Sequence, residues 1–131
     1  MEEQKDELWD RLEKWQRSSN SKMTKDRYLE MKDQLGEEPD PEECPPGFED
    51  FPTIVVAALN TFNSLGNRVY PEIGYTGKDY TSLPQYMKVY GIEDHNEEFF
   101  LDVLLHLDAH AIEQAQKELK KELDKMKRKN G

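Results

Sequence analysis

The residues best spaced for chemistry are Asp102, His106 and His110. The histidines stand four apart with the aspartate one turn earlier, so on a helix all three share an edge that could hold a metal ion. However, His106-Leu107-Asp108-Ala109-His110 lacks the glutamate beside the first histidine that metalloprotease chemistry uses. The edge also lies away from the apolar stripe Leu104–Leu107–Ala111, so a solvated or interface face without metal is the expectation. A second candidate is Gly74-Tyr75-Thr76-Gly77-Lys78-Asp79, superficially a phosphate loop. It is too short for a P-loop, and Asp79 stands where a hydroxyl should hold magnesium. Cys44, the single cysteine, has no base near it in sequence, and no Ser/His/Asp order is recognisable. The acidic runs at 37–43 and 93–98 lack the glycine and alternating oxygen ligands of a calcium loop. No catalytic residue and no cofactor is expected, so the chain reads as a non-enzyme.

Composition narrows the partners. Apolar and charged residues each make up 35% of the 131 positions, enough for a moderate core but not for one that uses the whole chain. The net charge of −10 divides into −8 over residues 1–50, −6 over 51–113 and +4 over 114–131. An acidic body repels a phosphate backbone, so nucleic acid is not expected as the main partner. The basic C-terminal end is the local exception, although Glu118, Glu122 and Asp124 interleave with its bases as on an ordinary charged helix. No apolar leader follows Met1, and no apolar run approaches the ~20 residues that span a bilayer. A soluble, cytoplasmic protein without a membrane partner is expected.

The elements that would carry these residues read as all-α: about three core helices, a helical N-terminal arm and a long, partly projecting C-terminal helix. Residues 1–36 form the arm. Leu8, Leu12 and Trp15 recur at helical spacing with Trp9 on a flank, from about Gln4 to Arg17. Thr24 then caps a second helix carrying Tyr28, Met31 and Leu35, which Gly36 closes. Residues 37–50 are acidic and carry four prolines, which favours an extended linker or a strap. Residues 51–131 form the core domain. Asp50 is placed to cap its first helix, whose stripe is Ile54, Ala57, Ala58, Leu59, Phe62 and Leu65. The stretch 67–78 reads as a long loop, pinned by its own side chains or functional. A short helix with Leu83, Met87 and Tyr90 follows, then a long one from Asp94, with Asp94 and Glu97 as a capping box. The Trp9/Trp15 arm reads equally as a satellite core or as an amphipathic docking helix.

Gly77-Lys78-Asp79-Tyr80-Thr81-Ser82-Leu83, preceded by the apolar helix Ile54–Leu65 and followed by Tyr90-Gly91-Ile92, resembles a family of small phage tail-assembly proteins. Gly77, Asp79, Tyr80 and Leu83 match that family's central motif, and Phe99–Leu107 with Asp108 resembles the start of its closing helix. The resemblance covers about residues 54–113, and Phe62-Asn63 stands where the family usually has Gln-Trp. It implies a tail assembly chaperone in the host cytoplasm or associated with the virion. Its partners would be viral structural proteins of tape-measure or tail-tube type, with Trp9, Trp15, Phe62, Tyr70 and Tyr75 as candidate contacts. The competing class is a small DNA-packaging or other nucleic-acid-linked viral factor that uses the basic helix end.

Within this reading Gly77-Asp79-Tyr80 is a structural corner, with Asp79 capping the turn after it. Asp79→Ala is therefore expected to lower stability by about 1 kcal/mol, measured as a fall in melting temperature; an unchanged value would oppose the corner.

Overall fold

A computed structural model describes residues 2–130, with side chains for 7–19 and 21–128. The chain is mostly helical: α1 (Glu2–Asn20), α2 (Lys25–Leu35), α3 (Thr53–Ser64), α4 (Leu83–Val89) and α5 (Glu97–Asn130). The all-α expectation needs one correction. The stretch 67–78 is not a loop but an antiparallel hairpin of β1 (Asn67–Tyr70) and β2 (Gly74–Lys78). Among the described residues no helix is long and apolar enough to cross a membrane. The chain divides into two compact units, Met1–Val56 and Ala57–Gly131.

In the first unit, α1 runs through Ser18 instead of stopping at it, and the Ser18 hydroxyl turns back along the helix to donate to the Trp15 carbonyl at 2.8 Å. Lys22, with φ +62°, makes the turn into α2. Thr24 accepts from the Arg27 N–H at 3.3 Å and Gly36 ends the helix in the left-handed region, as their residue types imply. Leu12 and Tyr28 are buried. The proline-rich segment is tied down. The Tyr28 hydroxyl accepts from the Asp40 N–H at 3.1 Å, Lys14 Nζ donates to the Glu42 carbonyl, and Pro45 and Pro46 are buried. Trp15 meets Phe48 with ring centroids 6.2 Å apart.

Asp50 does not cap α3. It closes a 3₁₀ turn, Phe48–Asp50, by accepting from the Gly47 N–H at 2.8 Å, and it accepts from Lys25 Nζ at 3.0 Å. Pro52 supplies the first carbonyl of α3 instead, to Val55 and Val56. The Gly47 N–H and the Lys25 ammonium hold the Asp50 carboxyl below its ordinary value of 3.8.

In the second unit, the N-terminal half of α5 buries Phe100, Val103, Leu104 and Leu107, and α3 buries Ala57, Ala58, Leu59 and Thr61. Asp94 does not cap α5 either. It opens a 3₁₀ turn, Asp94–Asn96, with no side-chain cap at its start, and α5 proper begins at Glu97. Pro84 sits in the first turn of α4, where its missing N–H leaves no bond unmade. In the hairpin, residues 71–73 form the loop and Gly74 follows at φ +82°. That is a three-residue connection with a left-handed residue after the turn. A one-residue irregularity between Asn67 and Val69 shifts the register toward the base.

Because the Asp50 carboxyl is lower in the folded than in the unfolded state, its contribution is present above about 3.8 and lost as pH falls through the folded value. Lys25→Met removes one of the two groups holding it down. The acid loss of tryptophan fluorescence structure is expected to begin at higher pH in that variant; an unmoved transition would leave the Lys25 pair without a stabilising role.

Candidate functional site

The best-organised polar cluster in the second unit forms around Asp108 of α5, a carboxylate only 5% exposed. Its helical position dictates the burial, since Asp108 falls between Leu104, Leu107 and Ala111 on the face that meets the hairpin. Three donors converge on it. The Tyr75 hydroxyl donates to Oδ1 at 2.5 Å, the Tyr80 hydroxyl to Oδ2 at 2.6 Å, and the Lys78 backbone N–H to Oδ2 at 3.0 Å. All three lie in or just after β2, about 30 residues back along the chain. Hydrogen bonds to a charged acceptor contribute about 1.5–3 kcal/mol each.

Gly77 makes this approach possible. Its φ is +126°, a conformation side chains rarely adopt, and a Cβ there would stand 3.2 Å from Asp108 Oδ2 and 3.7 Å from Ile112 Cδ1. Burial, followed by donation to Asp108, pushes the Tyr75 and Tyr80 phenols well above their ordinary value of 10. They are donors here, not nucleophiles.

Lys78 ties the same strand to the end of α3. Its Nζ donates to the Leu65 carbonyl at 3.3 Å and to Asn67 Oδ1 at 2.7 Å, and lies 4.6 Å from the centre of the Phe62 ring. A cation at the C-terminal end of a helix also meets the negative end of its dipole. Partial burial lowers the Lys78 pKa, with Asp108 opposing. Beside it a shallow cleft of about 250 Å³ is lined by Phe62, Asn67, Tyr75, Lys78, Ala111 and Ala115. From this edge the hairpin carries Val69, Tyr70 and Ile73 into solvent, at 63%, 46% and 61% exposure.

Of the residues singled out in sequence, the structure gathers Gly77, Tyr75 and Tyr80 on Asp108, and Phe62 beside them. Leu83 is buried on α4, its N–H donating to the Tyr80 carbonyl at 3.0 Å. Asp79 is exposed and caps the turn, its Oδ1 accepting from the Thr81 N–H at 2.9 Å and the Thr81 hydroxyl at 2.5 Å. Tyr70 is on the exposed hairpin, while Trp9 and Trp15 belong to the first unit, both half-buried.

His106 and His110 depart from the solvated edge expected of them. Both are half-buried, with Nε2 shielded from solvent, while Asp102 is exposed. The fully buried Val103 next to this edge shows that the packed face of α5 is wider than the Leu104–Leu107–Ala111 stripe. Among the described residues no group of three or more His, Cys, Asp or Glu side chains is placed to hold a metal ion.

Sequence reasoning missed Asp108 as the organising residue. The available signal was an acid set inside an apolar helical stripe, which must be buried and therefore needs donors.

Asp108→Asn puts an amide donor in place of an oxygen that accepts one (Oδ1) or two (Oδ2) of the three converging donors, and is expected to lower stability by about 2–3 kcal/mol. Tyr75→Phe or Tyr80→Phe is expected to lower it by about 1.5–3 kcal/mol, with Gly77→Ala also destabilising, all read from urea unfolding midpoints. A neutral Asp108→Asn would remove the carboxylate from its organising role. The chain matches no protein-family model, no curated protein and no solved structure, so the site stands on its own geometry.

Proposed function

We propose that the chain is a non-enzymatic phage assembly factor, a tail assembly chaperone that binds helical segments of a tape-measure or tail-tube protein in the host cytoplasm. The observation that carries this reading is the apolar hairpin end, Val69, Tyr70 and Ile73, held in solvent beside a cleft floored by small residues. Exposed apolar groups on a rigid support are a usual mark of a protein-binding surface. The support here is the Asp108 cluster, which fixes a hairpin that two short strands alone would not hold. Phe62 and Tyr75 line the cleft, and Ala111 and Ala115 give it a low floor against which the apolar face of a client helix can lie. The net charge of −10 keeps such a surface from non-specific association and favours basic client segments. Binding of this kind needs no catalytic residue and no cofactor.

Co-expression with the tape-measure and tail-tube proteins of a phage tail gene cluster is expected to give co-purification with one of them. Val69→Asp with Ile73→Asp, both at exposed positions, is expected to abolish it without lowering the unfolding free energy by more than about 1 kcal/mol. Retention of DNA instead, salt-sensitive and lost on neutralising Lys125, Lys127, Arg128 and Lys129, would overturn the proposal in favour of a packaging factor.

A further inference from the structure

We infer that Lys78 selects the client: the cleft beside it takes a helical protein segment whose apolar face carries one carboxylate, set against the Lys78 ammonium. This choice of partner rests on the client-binding reading of the same cleft and adds the chemistry by which a client is recognised.

Lys78 Nζ is a cation without an anion. Its partners are the Leu65 carbonyl at 3.3 Å, Asn67 Oδ1 at 2.7 Å and the Phe62 ring, 4.6 Å from its centre. All three are neutral. An ammonium has three N–H donors, and the two oxygens use two of them. Lys25, Lys32 and Lys117 each meet a carboxylate, whereas among the described residues half-buried Lys78 forms no ion pair. Asp108 acts on it only at a distance, because its oxygens are taken by the Tyr75 and Tyr80 hydroxyls and the Lys78 backbone N–H. A carboxylate entering the cleft finds a spare donor and an uncompensated charge between apolar walls, where the lower local dielectric strengthens the attraction.

Position along α5 sets the rest of the pattern. The Lys78 backbone lies level with Asp108, to which its N–H is bonded. Ala111 and Ala115 follow and line the cleft, and helical spacing continues their face with Glu118 and Glu122. Both glutamates are exposed, and Glu118 stands about 15 Å beyond Asp108 along the helix. The surface therefore runs from a cation, over small apolar residues, to acids. Its complement is an amphipathic helix with an acid at the Lys78 end, apolar residues over Ala111 and Ala115, and a base about three turns from the acid. The basic character that the net charge favours in a client lies beyond Ala115. Reversing the segment would set acid on Glu118 and base on Lys78, so the same charges fix its direction.

The test is fluorescence anisotropy of the full chain with overlapping peptides of about five helical turns from the tape-measure and tail-tube proteins. Peptides that bind are expected to share the order acid, apolar, base. Replacing that acid by its amide is expected to weaken binding about tenfold. Lys78→Met, its fold checked by circular dichroism, is expected to bind the parent and amide peptides equally. The amide peptide against the unaltered chain carries the test even where Lys78→Met is unstable. Bound peptides indifferent to the amide overturn selection by Lys78 and leave client binding standing. An amide effect as large in Lys78→Met as in the unaltered chain overturns it as well, since the carboxylate is then read elsewhere. A chain that binds no peptide of either protein overturns both.

Discussion

The second unit depends on the desolvation of one carboxylate. An ionised Asp108 among leucines would be strongly unfavourable without hydrogen bonds. Tyr75, Lys78 and Tyr80 supply three from a segment about 30 residues earlier. The constraint acts in both directions. Asp108 is tolerable in α5 because the hairpin covers it, and the hairpin is fixed because Asp108 holds it. Gly77 is the geometric consequence, since nothing larger fits beside the carboxylate without displacement. Lys78 extends the same logic to α3 by placing its amine on the Leu65 carbonyl and above the Phe62 ring.

That arrangement links stability to recognition. A two-stranded hairpin is marginal alone, yet here its far end stands in water carrying Val69, Tyr70 and Ile73. The tyrosines that anchor it resist ionisation, so they serve as donors at any ordinary pH. Rigid support beneath an exposed apolar end lowers the ordering cost of binding. The first unit uses a similar device at lower burial, with Asp50 bound to the Gly47 N–H and to Lys25 while the proline-rich segment is held by Tyr28 and Lys14. In both units an acid organises backbone that carries little regular structure of its own.

Much of the helical content was legible because its determinants are local. Thr24 and Gly36 bound α2 through their own side-chain and backbone preferences, and the apolar stripes of α3 and α5 follow from periodicity alone. The failures share a cause. Asp50 and Asp94 looked like caps, but a cap residue is defined by which N–H groups it reaches. For Asp50 a competing turn to Gly47 and a cation at Lys25 won. The Asp79–Tyr80 corner could be anticipated from turn chemistry, whereas its attachment to Asp108 could not.

Sequence by itself determined the helices, the acidic charge with its basic end, and the poor match of every candidate motif to metal or phosphate chemistry. These depend on residue type and near spacing, which need no distant partner. Only the tertiary structure decided that residues 67–78 pair as strands, that Gly77 faces a carboxylate, and that His106 and His110 are shielded. The physical reason is that Asn67–Tyr70 and Gly74–Lys78 are too short and too polar to favour strands on their own. Their pairing is selected by hydrogen bonds to a buried charge that folding brings from another part of the chain.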